Sequence, residues 1–279
     1  MSSAGTQKPL DGKVVAITGA ARGIGFASAI ELHRRGATVA LGDIDGDGAE
    51  SAASAIGDRA FSARVDVANP ESFLEFLAAS QTRGPLDVLV NNAGIMPIGP
   101  FLDCPPELYR RAVEINVLGC LNGTHAALPG MLERGRGHIV NIASTAGKAP
   151  VPGGMAYCAS KAAVVAFTEA ARIEYAGTGI DFTCVLPHFT NTDLIAGTTS
   201  TKLVPVVEPA DVGTAIADVI HRPRPDVYIP RSIGAILSTQ PLLGRRIRDL
   251  VNRRLGAYDT FLDFDAAERQ AYADRIAKS

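Results

Sequence analysis

The chain lacks the features that would place it in several large classes. It has no basic excess: 27 Lys and Arg against 29 Asp and Glu leave a formal net charge of −2, so no nucleic acid is expected as a partner. The N-terminus, MSSAGTQKPLDGK, carries no apolar run, and no secretory signal is expected. No stretch approaches the length of a membrane-spanning helix, so an integral membrane segment is not expected either. Cysteine is sparse. Cys104, Cys120, Cys158 and Cys184 are far apart and include no CxxC pair. They predict small core residues of a reduced, cytoplasmic protein, neither disulfides nor ligands of zinc or another metal. No internal repeat or low-complexity segment is visible.

What is present is ordinary globular composition, 47% hydrophobic and 20% charged over 279 residues, enough for one large α/β domain. Val14 to Thr18 is a β-branched apolar run ending in glycines, and a helical pattern through Ile24, Ala27, Ala29, Ile30 and Leu32 follows it and stops at Gly36. Further strands are expected at 38–41, 60–65, 88–90, 138–142, 180–186 and 227–229. Helices are expected at 70–81, 107–132, 156–176 and 210–220. Strands that are apolar without strict alternation are covered on both faces. Repeated strand–helix order therefore predicts a single-domain, Rossmann-type, doubly wound parallel β-sheet with helices on both faces, its crossovers right-handed. We divide the chain into a short N-terminal stretch, 1–10, a catalytic domain, 11–230, and a helical C-terminal extension, 231–279.

Between the first strand and the first helix stands Thr18-Gly19-Ala20-Ala21-Arg22-Gly23-Ile24-Gly25. Glycines there allow a tight turn and close approach of a diphosphate to the backbone, while the helix N-terminus offers amide donors. The turn predicts a dinucleotide site that includes Gly19, Arg22, Gly23, Ile24 and Gly25. Asp43, at the end of the second strand, can accept from an adenine ribose and repel a 2′-phosphate. Arg22 argues the other way, since it can pair with that phosphate. Ile44 supplies no second cation, so the reading favours NAD over NADP. Asp43 to Gly48 also resembles the start of a calcium loop, but its twelfth position is Ser54 and a strand precedes it, which excludes calcium. Asn122-Gly123-Thr124 fits a glycosylation pattern by coincidence.

Tyr157 and Lys161, in YCASK, are four residues apart. On a helix this puts them on one face, roughly 6 Å apart along the axis. A phenol beside a fixed ammonium ionises below its usual value of about 10, and bringing it near 7 asks the site for roughly 4 kcal/mol. Alone, YxxxK is more often an exposed Tyr and a solvated Lys on an amphipathic helix.

Taken together, the motifs resemble the short-chain dehydrogenase/reductase family from about Leu10 to Ile229. TGAARGIG is similar to that family's cofactor turn, and Asp66-Val67 to its adenine-contacting pair. Asn91-Asn92-Ala93-Gly94 is similar to its NNAG, in which Asn92, Ala93 and Gly94 border the nicotinamide ribose. The resemblance implies catalytic roles for Asn116 in EINVLG and Ser144 in NIAST beside Tyr157 and Lys161. It implies hydride transfer between a carbinol carbon and nicotinamide C4. Tyr157 is then acid and base, Lys161 also holds the ribose hydroxyls, Ser144 orients the substrate oxygen and Asn116 keeps a water in a proton relay. After the sixth strand the family's PGxVxT reads Pro187-His188-Phe189-Thr190-Asn191-Thr192. Pro187, Thr190 and Thr192 remain as cofactor contacts, and His188 either shapes the substrate pocket or points to solvent.

The expected pocket rim is Ile95, Met96, Pro97, Pro150, Val151, Pro152, Met155, Phe189 and Leu194, apolar and without an arginine pair for a charged group. The substrate expected from it is a bulky, lipophilic secondary alcohol or ketone such as a steroid, terpenoid or lipid-like molecule. Alternatives are an epimerase or dehalogenase using the same cofactor, or a non-catalytic NAD-binding sensor or scaffold. In the tail, Leu242, Leu243, Ile247, Leu250, Val251 and Leu255 have helical spacing among Arg245, Arg246, Arg248, Arg253 and Arg254. Such a helix either lies on a membrane surface or, the favoured reading, packs its stripe on its own domain or a sister subunit. A second segment, 258–277, is acidic at first and can dock nearby, and the tail as a whole is open to three roles: a cover for the entrance, a subunit interface or a membrane-surface contact. The resemblance also implies a homodimer or homotetramer paired through the helices carrying Asn116 and Tyr157.

Overall fold

A computed structural model describes residues 8–198, 205–239, 244–254, 258 and 260–278. Seven strands form one parallel sheet: β1 (Val14–Thr18), β2 (Thr38–Asp43), β3 (Ala60–Arg64), β4 (Leu86–Asn91), β5 (Gly137–Ile142), β6 (Ile180–Pro187) and β7 (Asp226–Ile229). Their order is β3-β2-β1-β4-β5-β6-β7. Each expected strand is present; β1 has the expected bounds, β3 ends one residue early, and the others are longer by one or two residues at one end or both. The chain moves outward from β1 to β3, returns to the far side of β1 as β4, and continues to β7. The reversal between β1 and β4 opens a crevice at the carboxyl ends of these strands.

The central strands are largely apolar because both faces are covered. Against one face lie α1 (Gly23–Arg34), α2 (Gly46–Ile56) and α7 (Pro209–His221), whose Leu32, Ala53 and Ile216 join Val15, Ile17 and Val90 in one core. The other face carries α3 (Pro70–Ser80), α5 (Gly119–Arg134) and α6 (Met155–Glu174), with Phe73, Phe76, Met131 and Ala171 packed on Leu89 and Ile139. A buried polar chain crosses this side. Asn91 Nδ2 donates to Asn141 Oδ1 at 2.8 Å, and Asn141 Nδ2 donates to Thr168 Oγ1 at 2.9 Å, pinning β4, β5 and α6 in register.

Two elements differ from expectation. Helix α2 has no counterpart in the periodicity, because its buried positions are only Ala49, Ala52 and Ala53. Its start is set locally by Asp45, whose side chain accepts from the Gly48 N–H. The single helix expected over 107–132 is instead α4 (Pro106–Val113), a π-helical segment Glu114–Leu118, and α5. A π turn widens the helix by one residue and re-aims a side chain, and here it carries Asn116.

Beyond β7 come α8 (Arg231–Thr239), α9 (Arg245–Arg254) and α10 (Ala266–Lys278). Among the described residues, no helix is long and apolar enough to cross a membrane. The four cysteines are free, and Cys120, Cys158 and Cys184 are buried.

Candidate active site

The turns after β1, β2, β4, β5 and β6 converge on a cavity of about 790 Å³. Gly19 has φ +65°, and a Cβ there would meet the Ala93 Cα at 2.8 Å, so only glycine fits. Asn92 Nδ2 donates to the Thr18 and Gly19 carbonyls, both at 2.9 Å. The Asn92 and Ala93 N–H groups donate to Thr18 Oγ1 at 3.1 Å. These bonds lock the β1 and β4 turns together. Helix α1 begins at Gly23 with no side-chain cap, leaving its first-turn amides to meet an anion on the cavity side. Gly19, Arg22, Gly23 and Ile24 line the wall. Gly25 does not: its Cβ position lies 2.2 Å from the Gly19 carbonyl oxygen, so it serves the packing of turn on helix.

At one end Asp43 is buried, accepting from the Ala21 N–H at 3.0 Å and the Asp45 N–H at 3.1 Å. Arg22 pairs with the Asp45 carboxylate. The Gly48 N–H, and after it Arg22, holds the Asp45 carboxyl below its ordinary range against the opposing effect of burial. Asp66 and Val67 form the adjoining wall, with Asp66 Oδ1 accepting from the Ala68 N–H at 3.0 Å.

At the other end, α6 delivers Tyr157 and Lys161 one turn apart, 7% and 4% exposed. Ser144 caps the short turn after β5, accepting from the Ala146 N–H at 3.1 Å, and its hydroxyl also hydrogen-bonds the Tyr157 phenol. Lys161 Nζ donates to the Ile142 carbonyl at 2.7 Å and stands 6.0 Å from the Tyr157 ring centroid. Burial pushes the Tyr157 phenol well above its ordinary range, and only Ser144 opposes this. Burial lowers the Lys161 ammonium as well. In this arrangement burial outweighs the lowering that the four-residue spacing alone would suggest.

Asn116 is fully buried behind the wall. Its Nδ2 donates to the Ile95 carbonyl and to Ser160 Oγ, both at 2.9 Å, and its Oδ1 accepts from the Ile95 N–H at 2.8 Å. Both amide hydrogens are used, and Oδ1 keeps a second lone pair. A Cβ on Gly94 would stand 3.1 Å from this oxygen and 3.4 Å from Lys161 Nζ, so glycine keeps the space between them open.

Pro187, His188, Phe189, Thr190 and Thr192 line the same cavity. Thr190 Oγ1 donates to the His188 carbonyl at 2.9 Å, and Thr192 Oγ1 to the Thr190 carbonyl at 3.3 Å. His188 does not point to solvent. Its Nδ1 meets Thr145 Oγ1 at 3.2 Å, its Nε2 is buried without a partner, and burial lowers the imidazole to about 4.

The rim is smaller than expected on one side and larger on another. Ile95, Met96, Pro150, Val151, Phe189 and Leu194 line the cavity, whereas Pro97, Pro152 and Met155 lie off it. The missing wall comes from the tail. Phe261 packs edge-on to Phe189 at 5.6 Å, and Tyr272, Arg275 and Ile276 of α10 close the space above them. Arg269, 5% exposed, donates to the carbonyls of Leu194, Ala196 and Met96 at 2.9, 3.1 and 2.6 Å. Sequence reasoning places a helix here but misses these residues. A basic residue three positions before an aromatic on the helix was the one available signal. The cavity's arginines each face a carboxylate: Arg22 to Asp45, Arg111 to Asp66, and Arg275 to Asp193 at 2.9 Å.

The family profile described as short chain dehydrogenase matches residues 13–203. Human estradiol 17-beta-dehydrogenase 11 is 33% identical over 258 residues, which cover 89% of this chain and 85% of that protein. Glycine betaine reductase ATRR of Emericella nidulans is 37% identical over 228 residues, 77% of this chain but only 18% of that much longer protein. A solved structure of 3-ketoacyl-(acyl-carrier-protein) reductase from Brucella melitensis, complexed with NADH, superposes with a TM-score of 0.73 at 30% identity, covering 79% of this chain and 97% of that one.

Proposed function

The chain belongs to the short-chain dehydrogenase family and is a nicotinamide-dependent oxidoreductase of CH–OH groups; from that premise we propose that it interconverts a bulky, lipophilic secondary alcohol and its ketone with NAD(H). The observation carrying the proposal is the meeting of Ser144, Tyr157 and Lys161 on one cavity wall that also includes the β1–α1 glycine turn. The fit to a dinucleotide rests on that turn, where Gly19 and Gly23, at φ +65° and +58°, shape a tight bend on the cavity wall ahead of the uncapped start of α1. Bound there, the nicotinamide supplies or accepts the hydride.

The residues divide the remaining work. Ser144 holds the substrate oxygen and offsets charge developing on it. Tyr157 exchanges the hydroxyl proton with that oxygen. Burial keeps the phenol protonated in this arrangement. Lys161 binds ribose hydroxyls. The remaining lone pair of Asn116 Oδ1, opening toward Lys161 beside Gly94, suits a water that returns protons from solvent. Asp43 makes the ribose end acidic, and Asp45 occupies Arg22, so a 2′-phosphate meets a buried carboxylate and no free cation from the turn. This supports NAD over NADP. Apolar Ile95, Met96, Val151, Phe189, Leu194 and Phe261 support a lipophilic substrate. Membership of the family supports association into a homodimer or homotetramer.

Following NADH absorbance with steroid, terpenoid and long-chain ketones, in parallel with NADPH, tests the reading. Turnover of a lipophilic ketone with NADH is expected. A preference for sugars or charged hydroxy acids would overturn the substrate class. Tight coenzyme binding with no turnover of any ketone or alcohol would favour a sensor or scaffold.

A further inference from the structure

Helix α9 is set apart from the rest of the molecule by its charge and by its exposure. None of its described side chains is buried, and Ile247 and Leu250 are 55% and 53% exposed. Their separation of three residues puts both on one helix face. Asp249 and Arg253, four apart, mark a different face that is attached to the protein. The Tyr258 phenol donates to Asp249 Oδ1 at 2.8 Å, and the Arg253 guanidinium stands 6.0 Å from the Tyr258 ring centroid. Tyr258 is itself part of the cavity wall. The helix is therefore fastened to the cavity rim on one side while Ile247 and Leu250 meet water.

Its charge is as uneven. Five arginines and one aspartate give α9 a formal charge of +4, while the whole chain carries −2, so the remaining residues sum to −6. Docking of this stripe on its own domain is contradicted for Ile247 and Leu250 by their exposure; Leu242, Leu243 and Leu255 lie outside the described residues, as does the side chain of Val251. Docking on the same helix of a second copy would bring two +4 surfaces into contact, which is repulsive. An acidic lipid surface offers what neither of these does: anions for the arginines and a headgroup–acyl boundary for the two exposed aliphatic side chains.

We propose that α9 is a contact for anionic lipid bilayers, holding the mouth of the cavity against the membrane surface. Two aliphatic anchors and a cluster of arginines make the contact reversible and salt-sensitive. If the substrate is lipophilic as proposed above, the arrangement lets it pass from bilayer to cavity without crossing water; the contact itself does not depend on that reading.

Co-sedimentation of the full chain with vesicles tests it. Phosphatidylcholine vesicles containing about 30% phosphatidylglycerol are expected to retain at least about tenfold more protein than pure phosphatidylcholine. The excess should vanish between about 0.05 M and about 0.5 M salt. The double variants Arg245→Glu/Arg246→Glu and Ile247→Asp/Leu250→Asp should each lose it, with coenzyme affinity and thermal midpoint unchanged. Equal retention on both vesicle types, no retention, or full retention by both variants would overturn the proposal. So would variants that lower the oligomer mass in sedimentation equilibrium, which would make α9 a subunit contact. None of these readouts involves turnover, so the membrane contact and the proposed reaction stand or fall separately.

Discussion

The Met96 N–H donates to the phenol oxygen of Tyr272 at 2.8 Å, joining positions 176 residues apart. Met96 belongs to the lip that follows β4, and Tyr272 to the last helix. Three positions earlier on the same helix, Arg269 donates to carbonyls of both this lip and the Leu194–Ala196 lip that follows β6. Its guanidinium lies 4.7 Å from the Tyr272 ring centroid. Helix α10 thus bridges the two sides of the candidate substrate pocket.

Removing the Tyr272 hydroxyl leaves a buried N–H without a partner, at a cost of about 1–3 kcal/mol. Tyr272→Phe is expected to lower the urea midpoint accordingly and raise KM for the ketone about tenfold, with kcat changed less than about threefold. Arg269→Met, which deprives three carbonyls at once, should cost about 3 kcal/mol or more. Chemical denaturation and initial-rate kinetics check both variants.

Tyr157→Phe keeps the ring packing and removes the proton-exchanging atom. Turnover should fall by about 10³-fold or more, in line with the loss of a positioned acid and base. Coenzyme affinity, read by NADH fluorescence, should stay within about twofold. Retention of most activity would remove Tyr157 from the reaction.

Asp43 is the buried carboxylate at the ribose end, and its bonds to the Ala21 and Asp45 amides hold it there. Asp43→Ser should weaken NAD and relieve repulsion of a 2′-phosphate, moving the NADP/NAD ratio of kcat/KM by about 10²-fold. An unchanged ratio would mean that discrimination lies elsewhere, with Arg22 the first residue to test.

Burial lowers both His138 and His188 to about 4 from an ordinary 6.5. Above pH 6.5 neither state of the protein gains from their protonation. Between 6.5 and 4 the unfolded chain binds protons that the folded chain refuses, so stability falls as pH falls, by about 1.4 kcal/mol per pH unit for each histidine. Urea unfolding of the wild type and of His138→Asn and His188→Asn at about pH 7.5 and about pH 5 checks the slope, which should be shallower in each variant.

Much of this fold can be read from the chain because parallel strands covered on both faces are mostly apolar, and Val14–Thr18 satisfies that without help from distant residues. Helix α2 escapes the same reading, since alanine gives little contrast between a buried and an exposed face. The glycine turn, Asp43, Tyr157 and Lys161 are legible from local spacing and Ser144 only from the family resemblance, and the cavity gathers them. A glycine required for packing, such as Gly25, and one required for ligand approach have the same letter, so the chain alone does not separate them.

The sequence by itself determined the order of strands and helices, the turn able to cradle a diphosphate, and the four-residue step between Tyr157 and Lys161, because each depends on neighbours within a few positions. Only the tertiary structure decided which way those groups are poised. Burial, a property of the whole packed domain, raises the Tyr157 phenol and lowers the Lys161 ammonium and the His188 imidazole. It also decided that Arg269 and Tyr272, more than 170 residues from Met96, complete the pocket. Contacts across such distances in the chain are set by how layers pack, and no local pattern records them.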